Sequence, residues 1–160
     1  MNEFAKLDAR LDPLYNTAFA DMPTSGSASF EGLTAITMAT PDGETRLYGD
    51  TVITADFREE TIDGMVNGFH GTVDGGAAQS YEGSLVLDGL IGEARPNAIA
   101  AGIGGTLTGG GQELDFTGEL AGSFVGTPIK GLELESEPEA VIGTLNGEQF
   151  RTTIEVLAEK

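Results

Sequence analysis

From Phe30 to Val156 apolar and polar residues trade places with a period of two, the spacing of strands that bury one face and wet the other. Phe30, Gly32, Thr34, Ile36 and Met38 alternate with Glu31, Leu33, Ala35 and Thr37, and Pro41-Asp42-Gly43 then supplies a tight turn. Thr51, Ile53, Ala55 and Phe57 lie opposite Val52, Thr54 and Asp56; Ile62, Gly64, Val66 and Gly68 make the next row. Tyr81, Gly83, Leu85 and Leu87 alternate with Glu82, Ser84, Val86 and Asp88, and Ile99, Ala101, Ile103, Gly105 and Leu107 run to a turn at Gly109-Gly110-Gly111. The clearest strand sets Leu114, Phe116, Gly118 and Leu120 against Glu113, Asp115, Thr117 and Glu119. A seventh, weakly patterned strand falls within 129–145, and the last places Phe150, Thr152, Ile154 and Val156 opposite Arg151, Thr153 and Glu155.

Eight strands joined by short turns, with no helical period between them, predict an all-β fold: a single eight-stranded antiparallel up-and-down β-barrel over 26–160. Closure removes both open edges. Ahead of it, Phe4, Leu7 and Leu11 recur at helical spacing until Asp12-Pro13, which predicts a short amphipathic helix over 3–11. Leu14 to Ser25 has no period, so 1–25 is read as a helical arm and linker.

Glycine is abundant, at 24 residues. Gly32, Gly64, Gly68, Gly83, Gly105 and Gly118 are expected on the apolar face, where a missing side chain lets strands coil inside a narrow barrel. Ser29-Phe30-Glu31-Gly32 is echoed by Ser80-Tyr81-Glu82-Gly83 and by Phe116-Thr117-Gly118. The expected device is an aromatic ring lying over the glycine two residues on.

Charge narrows the partners. Eight Lys and Arg face 26 Asp and Glu, a formal net charge of -18, which repels phosphate backbones and excludes nucleic acid. With no cysteine there is no disulfide, thiolate metal site or thiol nucleophile. No run approaches the roughly 20 apolar residues of a membrane-spanning helix. The first ten residues contain no apolar leader, so the expectation is a chain made in the cytoplasm without a signal peptide.

Catalytic, cofactor and metal residues are assigned to none. His70 has no cysteine or second histidine with which to build a zinc or copper site, and no Gly-x-Ser-x-Gly elbow accompanies it. Glu133, Glu135, Glu137 and Glu139 could gather carboxylates for Ca²⁺ but match no EF-hand loop. Gly102-x-Gly104-Gly105 lacks the helix and lysine of a phosphate cradle. A narrow barrel filled by its own side chains leaves no cleft for paired carboxylates, so a non-enzyme is expected.

Tyr48-Gly49-Asp50, Thr54-Ala55-Asp56-Phe57, Tyr81-x-Gly83 and, most specifically, Phe116-x-Gly118-x-Leu120-x-Gly122-Ser123-Phe124-Val125-Gly126 followed by Gly131 form a set. In these residues the chain, over roughly 26–157, resembles the barrel domains of bacterial transferrin-binding-protein-like surface lipoproteins. The resemblance implies a closed barrel and a binding role, in proteins exported and tethered through a lipidated cysteine; this sequence has no cysteine. The functional expectation is therefore a structural or interaction protein of a virion or phage-like particle, a capsid decoration or tail accessory. Its barrel would be exposed, and the arm would either dock through Phe4, Leu7 and Leu11 onto a shell or tail subunit or another copy of the chain, or plug one end of its own barrel. The alternative is a bacterial surface binding module that captures a host protein or a haem-type ligand, with His70, Tyr15, Tyr48, Tyr81 and the four methionines as candidate axial ligands.

Overall fold

The alternating segments close on one another in the computed structural model, which describes residues 2–160. Strands β1 (Ser27–Thr40), β2 (Gly43–Asp56), β3 (Thr61–Thr72), β4 (Gln79–Ser80), β5 (Glu82–Ile91), β6 (Ala98–Gly109), β7 (Gln112–Val125), β8 (Gly131–Glu135), β9 (Val141–Leu145) and β10 (Glu148–Glu159) follow helix α1 (Glu3–Leu11). They form one antiparallel sheet in which β10 returns to pair with β1, Ile36 opposite Ile154 and Thr34 opposite Val156. The result is a closed eight-stranded antiparallel barrel, since two of its staves are each built from two strands.

The seventh stave explains the weak pattern of 129–145. β8 pairs with residues 121–125 of β7 and 155–159 of β10, while β9 pairs with 114–118 of β7 and 148–151 of β10. Residues 136–140 bulge out between them, at Pro138, which has no N–H for a ladder. Ser136 patches the gap: its hydroxyl accepts from the Ile154 amide at 2.9 Å and its own N–H donates to the Ile154 carbonyl at 2.9 Å. The β9–β10 hairpin turns at Asn146-Gly147, with φ of 52° and 85°, the left-handed pair such a two-residue turn requires.

The interior is filled. Phe30, Ile36, Met38, Leu47, Ile53, Ile62, Leu85, Leu107, Leu114, Phe124, Leu132 and Val156 have no exposed surface or almost none. The Phe124 ring lies 5.8 Å from Phe30 and 5.6 Å from Phe57, both tilted, the arrangement aromatic quadrupoles favour. Thr34 and Thr51 also point inward, and their hydroxyls satisfy each other at 2.7 Å, as buried polar groups must be satisfied.

Two inward rows differ from expectation. Tyr48 pairs with His70 but Asp50 with Asn67, so Gly68 and Phe69 together oppose Gly49 in a β-bulge. Gly68 there has φ 65° and is exposed, and the bulge hands the inward position to Phe69, 1% exposed. Gly83 is exposed as well. The aromatic device is also placed differently: the nearest ring atoms to a glycine belong to Phe69 over Gly49 and Tyr81 over Gly109, across strands and not two residues along one. Gly32, Gly118 and Gly122 instead lie against neighbouring backbone, where a Cβ would overlap the carbonyl oxygens of Leu157, Ala140 and Glu133. Close strand approach during coiling, more than missing ring cover, accounts for these glycines.

Candidate binding surfaces

The barrel has little to offer inside, so its outer wall and its ends are the candidate surfaces. α1 forms as its spacing predicts: the Asn2 side chain caps it by accepting from the Ala5 amide at 2.8 Å, and Asp12 closes it. Its apolar stripe lies on the chain's own wall. Leu7 and Leu11 are 3% and 2% exposed and pack with Val125 and Leu157, while Phe4, Leu14 and Leu33 pack partly buried at the rim. Leu33 and Leu157 stand opposite each other on β1 and β10, both pointing outward. The helix therefore covers an outward apolar cluster and neither projects freely nor plugs the barrel mouth.

Polar contacts fix its angle. The Arg10 guanidinium donates to both Glu159 carboxylate oxygens, at 2.7 and 3.2 Å, and the Phe4 ring stacks obliquely on Tyr48 at 5.9 Å. Asn2 donates to the Tyr48 hydroxyl at 3.2 Å, and Lys6 pairs within the helix to Glu3 at 2.7 Å. The Arg10 guanidinium holds the Glu159 carboxyl below its usual range, and Lys6 does the same for Glu3.

The linker crosses the base of the barrel. Thr17 is fully buried: its N–H donates to the Phe124 carbonyl at 2.9 Å, its hydroxyl to the Gly126 carbonyl at 2.6 Å, and its carbonyl accepts from the Asn97 amide at 2.8 Å. Nothing in its sequence announces this, because the partners lie 80 and 109 residues away.

Acid crowds the wall beside the helix. Glu133 and Glu135 project outward from β8, and Glu135 faces Glu155 directly across β10. Loss of surrounding water, followed by the charges of Asp8, Asp12 and Glu135, raises the Glu133 carboxyl above its usual range. Glu155 is raised in the same way, by lost water and then by Asp8, Glu135 and Glu133. Glu137 and Glu139 stand apart in the 136–140 bulge. Among the described residues no three acids or histidines gather as a metal site would require.

The candidate haem ligands do not converge. Tyr48 and His70 sit side by side on the outer wall with rings 6.2 Å apart, whereas Tyr81 is buried inside and Tyr15 is 91% exposed at the base. Met38 is buried in the core, Met65 is exposed on β3, Met22 packs at the edge of the core, and Met1 lies outside the described residues.

A surface the periodicity left unassembled lies farther round the wall, on β2, β3 and β5. Val52, Met65 and Val86 occupy outward positions on β2, β3 and β5, and the register aligns them in one row, Val52 opposite Met65 and Met65 opposite Val86. They are 50%, 48% and 51% exposed. The alternation already set Val52 and Val86 on the polar phase, but only the strand register makes them neighbours.

With this geometry in hand, the chain can be set beside known proteins. Over 91% of its length it superposes, with a TM-score of 0.58 and 14% identity, on a crystal structure of a double mutant of the vaccine antigen Transferrin Binding Protein B from Haemophilus parasuis Hp5. The barrel has a fold found in that protein. A single mutant of the same antigen is also similar, with a TM-score of 0.49 and 13% identity over 91% of this chain and 29% of that one. The chain spans 27% of the length of the first structure. No family model matches the sequence, and no curated protein is detectably similar to it. The expected virion or phage-like role finds no support in these comparisons. Among the described residues no helix is long and apolar enough to cross a membrane.

Proposed function

We propose that this chain is a non-catalytic protein-binding module of the Transferrin Binding Protein B type, displayed at a cell surface and built to hold a folded partner against the outside of the barrel. The observation that carries the reading is the superposition of nine-tenths of the chain on a barrel of a protein whose name states that it binds transferrin. The filled interior agrees with it, because recognition then falls to the wall and the loops and not to an enclosed small molecule. A haem-type ligand is disfavoured by the scatter of its candidate axial residues.

The test is direct. The chain, immobilised, is titrated with iron-loaded and iron-free transferrin by biolayer interferometry. Saturable binding of either form supports the reading, and no response at transferrin concentrations up to about 100 μM, a Kd weaker than any specific capture would need, removes transferrin as the partner.

A further inference from the structure

We propose that the outer wall of β2, β3 and β5, centred on Val52, Met65 and Val86, docks a protein segment that presents an apolar stripe flanked by lysine or arginine. The inference rests on the binding-module reading and names the surface and the chemistry of what covers it.

Three observations carry it. The first is the aligned row itself, three large apolar side chains half exposed side by side on adjacent strands. The second is charge. Strands β3, β5, β6 and β7 contain no lysine or arginine, while Asp63, Glu82, Asp88, Glu113, Asp115 and Glu119 all project from their outer faces. Asp63 and Asp88 face each other two residues from Met65 and Val86, so one edge of the apolar row is bounded by a like-charged pair, and among the described residues neither carboxylate is in an ion pair. Such a pair is relieved by a cationic partner and worsened by an acidic one.

The third observation is an internal precedent. The barrel also has an outward apolar cluster at Leu33, Val125 and Leu157, and the chain shows what covers it: an amphipathic helix laying Leu7 and Leu11 on the cluster while Arg10 pairs with Glu159 at its edge. The β2–β3–β5 wall repeats the elements of that arrangement, an apolar centre and an acidic border, without the helix. A second copy of the chain is a poor occupant because each copy carries a net charge of -18 and would bring its own acidic wall.

The experiment uses the full chain and a dye-labelled amphipathic helix of about 14 residues, leucines on one face and lysines on both flanks, with a control in which every lysine is glutamate. Fluorescence anisotropy is expected to show binding of the lysine peptide that weakens as salt is raised, and none of the glutamate peptide. Met65→Asp and Val86→Asp should each raise Kd on the order of tenfold, Asp63→Lys with Asp88→Lys should do so without altering the apolar row, and Ile142→Asp on the distant β9 should bind like the parent. All of these side chains are exposed on the wall, and circular dichroism checks that each variant keeps its fold. No binding by the parent, equal affinity in the Met65, Val86 and paired Asp variants, or equal binding of the glutamate peptide would overturn the proposal. So would a parent dimer in sedimentation that Met65→Asp dissolves, since the row would then belong to a second copy. The probe is not transferrin, so the outcome here and the outcome of the transferrin titration stand or fall separately.

Discussion

Phe116 leaves β7 for the interior, 2% exposed, one residue from Asp115, which stays on the wall. Truncating it removes a ring from a filled core, and Phe116→Ala is expected to cost about 3–5 kcal/mol in urea unfolding; a loss under about 1 kcal/mol would contradict the packing. The glycines allow a sharper contrast. At Gly32 a Cβ would overlap the Leu157 carbonyl oxygen, whereas at Gly102 the nearest atoms lie 3.7 and 3.9 Å away. Gly32→Ala should therefore destabilise by roughly 1–3 kcal/mol, and Gly102→Ala should be neutral or stabilising by up to about 1 kcal/mol through the stiffer unfolded chain. Equal melting of the two variants would show that strand approach is not what Gly32 serves.

Among the elements, α1 is too short to stand alone in water, since isolated helices under about 12 residues are marginal. Its order comes from Leu7 and Leu11 on Leu33, Val125 and Leu157, and the linker adds the buried Thr17–Asn97 contact at the base. Removing residues 1–12 is expected to lower Tm by several degrees, at about 2–4 °C per kcal/mol for a domain of this size, and removing 1–22 to lower it further. Calorimetry on the two truncations separates the contributions. A 1–12 truncation melting like the parent would mean that the helix contributes nothing to the barrel it covers.

At the scale of the molecule, charge sets the response to pH. Glu133 and Glu155 have raised carboxyls, so the fold favours their protonated forms; the stability this gives is full below the ordinary glutamate range and is lost as pH rises through the raised values. Glu3 and Glu159 act with the opposite sign, their contribution being lost as pH falls through their lowered values, but both sit in exposed ion pairs, which contribute little. Tm should therefore rise as pH falls from neutrality into the raised range of these two carboxyls, where protonation also begins to relieve the self-repulsion of an acidic chain. Glu133→Gln and Glu155→Gln should raise Tm near neutrality and flatten that slope in a pH series of thermal melts. A steeper slope in either variant would reverse the assigned sign.

The sequence by itself determined the fold class and the helix, because both depend on local periods: two along each strand, and the 4, 7, 11 spacing of Phe4, Leu7 and Leu11 before Asp12-Pro13. It also determined the net charge of -18, which repels a phosphate backbone. Where period and register diverge, only the tertiary structure decided. One bulge at Gly68 turned Phe69 inward, five residues at 136–140 split a stave, and strand approach placed the glycines against carbonyls. The surfaces followed the same rule. That Leu7 and Leu11 cover the chain's own wall, that Thr17 meets Asn97, and that Val52, Met65 and Val86 share a row are facts of register and closure, relations between residues tens of positions apart that no local pattern encodes.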